Sequence, residues 1–260
     1  MGLMSSSEET TAADWFTLKR AGKKGSPILF VSGPPTSGAI FERVQERLAP
    51  RRTVAIEGVA DPSSFDPERF ALELQRLCDV EEVRVVVAHG LALPLVLKSN
   101  LQNLDLLIVS NGPVGKLDLF TRTLSRMPRI AMEKALLRPG VFNKWLASSV
   151  GLRRAVVNPY VMDRETVQSL SQPYLSTIEA RKMTARWLKE LPDLLPVSMP
   201  SDTKVVAIWG DLDSLYPVEE INKFQMFEIV LIPGGRFLHP QERPWELADA
   251  CMEIIEKSVT

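Results

Sequence analysis

Val83-Arg84-Val85-Val86-Val87-Ala88-His89-Gly90-Leu91-Ala92-Leu93-Pro94-Leu95-Val96-Leu97 decides how this chain is read. Its first half is a valine run broken by one arginine, and its second half is rich in leucine. A near-continuous run of β-branched residues suits a strand covered on both faces, as in a parallel sheet flanked by helices. Between strand and helix the backbone must turn sharply. Ala88, Gly90 and Ala92 are small enough to let the two backbones approach there. The expected local structure is strand, tight turn, helix, with Gly90 at the turning position.

Working outward, the same alternation recurs. Residues 14–20 read as an antiparallel edge strand, residues 27–31 as a buried strand, and Ile40, Phe41, Val44 and Leu48 as the apolar side of a helix. Residues 53–56 form a further strand. Asp66 followed by Pro67 reads as an N-cap with proline at the first helical position, opening a helix whose apolar surface comes from Phe70, Leu72, Leu74, Leu77 and Cys78. Residues 106–109 are the next strand. From 116 to 200 only helical segments broken by prolines are found. Strands then resume at 204–209 and 228–232, and an amphipathic helix runs from Pro244. Strands alternating with helices predict right-handed crossovers and a mostly parallel sheet with helices on both faces. The expected division is a polar, disordered segment at 1–12, a core at 13–113, a helical cap at 114–200 and the rest of the core at 201–260.

Composition narrows the function classes. A formal net charge of -1 gives no global field toward nucleic acid. Cys78 and Cys251 fall on apolar helix faces and are expected as buried free thiols, which points to a reducing, cytoplasmic setting. With two histidines and two cysteines, none closely spaced, no metal site or cofactor is expected. No apolar run reaches the length of a membrane span. Gly2 with Ser6 formally fits an N-myristoylation pattern, but so short a match reads better as part of the polar start.

The small-His-Gly-Leu-small turn after a valine strand resembles the nucleophile elbow of the α/β-hydrolase superfamily, where the middle position carries Ser, Asp or Cys. Here that position is Gly90, which has no nucleophile. The order of elements from about Trp15 onward is also similar to a cap-bearing member of that superfamily. The resemblance implies a triad acid at Asp213, within Gly210-Asp211-Leu212-Asp213, and places Arg236 where the catalytic histidine belongs. His239 matches a secondary, non-catalytic histidine, and a register shift of three residues makes it the alternative base. In many members a His-Gly loop follows the first buried parallel strand and helps to bind an oxyanion. Here that loop is Ser32-Gly33-Pro34-Pro35, and its prolines carry no N–H. The N–H of Leu91 would survive as half of that site, and Tyr216 would border the pocket. Acyl transfer needs an activated nucleophile and a base within reach, and an arginine stays protonated at neutral pH. The resemblance therefore implies a pseudo-hydrolase with a vestigial apolar pocket, acting as a binding, assembly or scaffold protein. The alternatives are a lyase, isomerase or cyclase working through Asp213, Arg236, His239, Ser32 and Tyr216, or a hydrolase with its nucleophile relocated to Ser110 or Ser32. In the vestigial site Asp213 and Arg236 are expected to form an ion pair.

The cap carries a second signal. Between Val114 and Tyr160 nine residues are basic and two acidic, in a chain that is otherwise acidic. Arg122, Arg126, Arg129, Lys134, Arg138, Lys144, Arg153 and Arg154 alternate with leucines, isoleucine and aromatic residues. A basic amphipathic stretch suits an acidic protein partner or an anionic membrane surface, to which the protein would bind peripherally. It lacks the motifs of nucleic-acid modules.

Overall fold

The computed structural model describes residues 12–224 and 228–259. The expected disordered start and the Gly2–Ser6 pattern lie outside them, apart from Ala12, which opens a short helical turn. Seven strands form one sheet in the order β1-β3-β2-β4-β5-β6-β7. They are β1 (Phe16–Ala21), β2 (Lys24–Ser32), β3 (Arg51–Val59), β4 (Val85–His89), β5 (Leu106–Ser110), β6 (Lys204–Gly210) and β7 (Glu228–Ile232). The edge strand β1 runs antiparallel to β3, and every other pairing is parallel. Every residue of β4 and β5 is buried, the environment in which an unbroken Val/Leu/Ile run is stable.

The longer helices are α1 (Glu42–Leu48), α2 (Pro67–Glu81), α3 (Leu93–Lys98), α4 (Leu119–Arg126), α5 (Pro139–Leu146), α6 (Arg164–Leu175), α7 (Ile178–Glu190) and α8 (Pro244–Val259). β3 lies on one side of β2 and β4 on the other, so right-handed crossovers put α1 and α2 on opposite faces of the sheet. α8 packs with α1, and α3 with α2. Asp66 caps α2 as its sequence implies, accepting from the N–H groups of Glu68 and Arg69 ahead of Pro67. The helix ends at Glu82 in the left-handed conformation, with φ of 55°. Cys78 and Cys251 are buried free thiols, and burial pushes both up to about 12.

Between β5 and β6 the described elements are all helical, and we call this layer the cap. Asp118, Asp163 and Thr177 cap the first turns of α4, α6 and α7. Two buried side chains fix the cap to the sheet. Trp187 on α7 donates its indole N–H to the carbonyl of Leu91 at 3.0 Å, and the Tyr174 hydroxyl on α6 donates to the carbonyl of Ser32 at 3.2 Å. The Trp187 ring also stacks on Phe65, with centroids 5.2 Å apart and planes 7° from parallel. Each polar tip satisfies a buried carbonyl while its ring fills core, so the cap sits at a fixed height above the elbow.

Candidate functional site

The site is built where β4 ends. His89 closes the strand, and Gly90 turns the chain with φ of +62°, a conformation that a side chain disfavours. Its neighbours crowd in. A Cβ on Gly112 would lie 2.6 Å from the Gly90 carbonyl oxygen, and one on Gly33 would lie 2.6 Å from the Ala92 nitrogen. The loop after β2 therefore rests directly on the backbone of the turn, with Pro34 and Pro35 facing the cap and offering no N–H.

A phenyl ring occupies the seat of the missing side chain. A Cβ on Gly90 would meet Cζ of Phe237 at 3.2 Å. Phe237 is buried, with ring centroids 5.1 Å from His89 and 5.6 Å from Tyr216.

The expected pairing of Asp213 with Arg236 is not made. Asp213 Oδ2 accepts from Asn111 Nδ2 at 2.5 Å, and Oδ1 accepts from the Leu215 N–H at 2.8 Å. Asn111 in turn accepts the Gly210 N–H on its Oδ1, so it bridges β5 to the turn after β6. Burial raises the Asp213 carboxyl to about 6, against the lowering effect of these donors. Arg236 turns the other way, and its Nη1 donates to the carbonyls of Arg154 and Val156 at 3.3 and 3.1 Å. The reason is local supply. Amide donors already meet the carboxylate's demand, while cap carbonyls at the end of a helical turn offer the guanidinium its acceptors.

His239 and Ser110 meet below Phe237. His239 Nε2 lies 3.2 Å from Ser110 Oγ, and Ser110 Oγ lies 3.1 Å from His89 Nδ1. One set of protons satisfies this row. His239 Nδ1 lies 3.1 Å from the Arg236 carbonyl, which can only accept, so Nδ1 carries the proton. Nε2 then accepts from the Ser110 hydroxyl, and Ser110 accepts from His89 Nδ1–H. His89 Nε2 is left without a partner. Desolvation holds both imidazoles neutral, with His239 lowered to about 4 and His89 well below its usual value. All three side chains are fully buried. His89 is thus turned into the core, away from the cavity.

Solved structures with the same architecture are numerous. An alpha/beta hydrolase fold protein from Burkholderia ambifaria aligns over 91% of this chain and 93% of its own, with a TM-score of 0.72 and 18% identity. A thermophilic esterase from Thermogutta terrifontis aligns over 94% of both chains, with a TM-score of 0.71 and 20% identity. The Cif epoxide hydrolase from Acinetobacter nosocomialis aligns over 91% of this chain and 84% of its own, with a TM-score of 0.67 and 15% identity. This chain has the α/β-hydrolase fold. No protein-family model and no curated protein matches its sequence.

Between the cap and the core of this α/β-hydrolase fold lies a narrow, largely apolar cavity that opens to solvent. Phe120, Phe142, Trp145 and Leu188 wall it from the cap, and Leu91, Leu215 and Phe237 from the core. Phe120 and Trp145 stack with centroids 3.8 Å apart, which joins α4 to α5 over the cavity. Its polar corner is occupied from within. Asp118 Oδ2 accepts from the Tyr216 hydroxyl at 3.0 Å, while Oδ1 caps α4 and accepts from Arg154 Nη2 at 3.3 Å. Burial and the Asp118 charge hold the Tyr216 hydroxyl well above its usual pKa.

Of the sequence-derived candidates, Pro34, Leu91 and Tyr216 line this cavity, whereas Gly90, Ser110, Asp213, Arg236 and His239 do not. Ser32 faces Thr36 at 2.9 Å and is buried, and Gly33 packs on the elbow. Three residues of consequence escaped the sequence reading: Phe237, Asn111 and Asp118. Phe237 follows Arg236 directly and Asn111 follows Ser110, so only the backbone geometry separates them from their neighbours. Among the cap bases, Arg122, Arg126, Arg129, Lys134, Arg138 and Lys144 are exposed. Arg153 and Arg154 are half-buried, and Arg154 is turned toward Asp118, which corrects its assignment to the outer surface. Among the described residues no group of His, Cys, Asp and Glu could hold a metal ion, and no helix is long and apolar enough to cross a membrane.

Proposed function

We propose that this protein binds a small apolar molecule between cap and core, without acyl-transfer chemistry, and serves as a binding or assembly component. The carrying observation is the Phe237 ring over Gly90, in the seat that a nucleophile would take. Side chains with a polar atom do line the cavity, but Asp118, Tyr216 and Arg154 spend theirs on one another. Recognition would then rest on shape and on burial of apolar surface, with the Phe120–Trp145 stack as the wall in contact. Trp145 makes the test direct. Titration with small aromatic and aliphatic probes should change its fluorescence and raise the melting temperature, and Trp145→Phe should abolish the optical signal while keeping the stabilisation. An activated ester should not be turned over, and a serine-reactive phosphonate should not label the chain. Turnover or labelling at Ser32 would overturn this reading.

One observation favours a second reading. Ser110 Oγ donates to His239 Nε2 in the arrangement of a serine with its base, and the Arg236 carbonyl orients the imidazole. Phe237 would have to swing aside for any carbonyl to reach that hydroxyl. Labelling lost on Ser110→Ala would establish a relocated nucleophile in place of a binding protein.

A further inference from the structure

We infer that the outer surface of the cap is a docking surface for an anionic lipid bilayer. Six of the twelve exposed large apolar side chains among the described residues lie between 119 and 160, less than a fifth of the chain: Leu119, Ile130, Val141, Val150, Val157 and Tyr160. Isolated exposed apolar side chains are ordinary on a soluble protein, but their concentration in one layer is not. The same layer exposes Arg122, Arg126, Lys134, Arg138 and Lys144, none of which has an ion-pair partner among the described residues. The two acids between 114 and 160 are committed elsewhere. Glu133 pairs with Arg129, and Asp118 is turned inward to Arg154 and Tyr216.

The helices place these groups by periodicity. On α4, Leu119, Arg122 and Arg126 share the solvent side, while Leu124 is buried. On α5, Val141 and Lys144 face out, while Phe142 and Leu146 are buried. The Phe120–Trp145 stack holds the two helices side by side from beneath. The outer sides of α4 and α5 are thus basic and carry Leu119 and Val141 above an aromatic pair.

Charge complementarity favours lipid over a protein. Protein interfaces draw their energy from anchors gathered in pockets. Here the apolar groups are spread one to each helix or loop and interleaved with lysines and arginines. A bilayer accepts that pattern, since apolar side chains enter between headgroups while bases meet the phosphates. The inference does not depend on what fills the cavity.

The test is flotation of the full chain with vesicles of phosphatidylcholine alone and with vesicles rich in phosphatidylserine. The wild-type chain should float with the anionic vesicles only, and added salt should release it. Each base at the surface contributes about fivefold to partitioning, so the double substitution Arg122→Gln with Arg126→Gln should lower it about thirtyfold. A second variant, Leu119→Ser with Ile130→Ser, should weaken binding at low salt as well. Arg43→Gln with Lys98→Gln removes two exposed bases from the core and should leave flotation unchanged. Circular dichroism confirms that each variant is folded. Absence of flotation, equal flotation with neutral vesicles, or equal losses in the cap and core variants would overturn the inference. So would a protein that binds through the cap bases of a chain with no lipid affinity.

Discussion

Placing a hydroxyl back on the elbow, by Gly90→Ser, should cost stability and restore no chemistry. Two costs follow from the geometry. Gly90 sits at φ of +62°, where any residue with a Cβ is disfavoured by about 1–2 kcal/mol. The new Cβ would also stand 3.2 Å from Cζ of Phe237, so the ring must give by a few tenths of an ångström within a packed core. Together these give about 1–3 kcal/mol, or a fall in melting temperature of about 2–12 °C for a chain of this size. Gly90→Ala carries the same backbone and contact costs without the hydroxyl, so urea titration of both variants separates geometry from polarity. Neither variant should hydrolyse an activated ester. Arg236 is turned to the carbonyls of Arg154 and Val156, and His239 is held by Ser110, so no base reaches the new oxygen. Stability of Gly90→Ala within about 0.5 kcal/mol of wild type would refute the steric reasoning. Turnover by Gly90→Ser would refute the assignment of the site.

Asp213 makes stability depend on pH in a direction opposite to most carboxylates. Its folded pKa, about 6, is raised from 3.8, so between those values the folded chain keeps a proton that the unfolded chain releases, and its contribution falls as pH rises. Asp213→Asn removes this dependence. Its cost, measured by chemical denaturation, should therefore be about 2–3 kcal/mol greater at pH 4 than at pH 7, and a difference that does not vary with pH would rule out the raised value. Trp187→Phe keeps most of the buried ring but strands the Leu91 carbonyl, and equilibrium unfolding should show a loss of about 1–3 kcal/mol.

The core of the fold was legible because its signals are local. A valine run with small residues at its end specifies β4 and the turn, and Asp66-Pro67 specifies the start of α2. The all-helical layer between β5 and β6 follows from the succession of such segments. The site was less legible, because its contacts join residues far apart in the chain. Arg236 and Phe237 are neighbours whose side chains leave in different directions, one to cap carbonyls and one onto Gly90. No spacing rule distinguishes those directions. Asp213 and Arg236 are complementary on paper, yet Asn111, 102 residues from Asp213, satisfies the carboxylate first. The row from His89 through Ser110 to His239 depends on strand register and on the loop after β7, neither of which a single sequence displays.

That row also bears on how the molecule comes apart. His239 opens the turn that leads into α8, so peeling the C-terminal helix away would strip Ser110 of its acceptor and let water into the sheet's centre. Separate fraying of that helix should thereby be suppressed, so that the two chain halves on either side of the cap should open together. Amide protons on the inner side of α8 should exchange with solvent only as slowly as those of β4, with the tail of the chain as well protected as its middle.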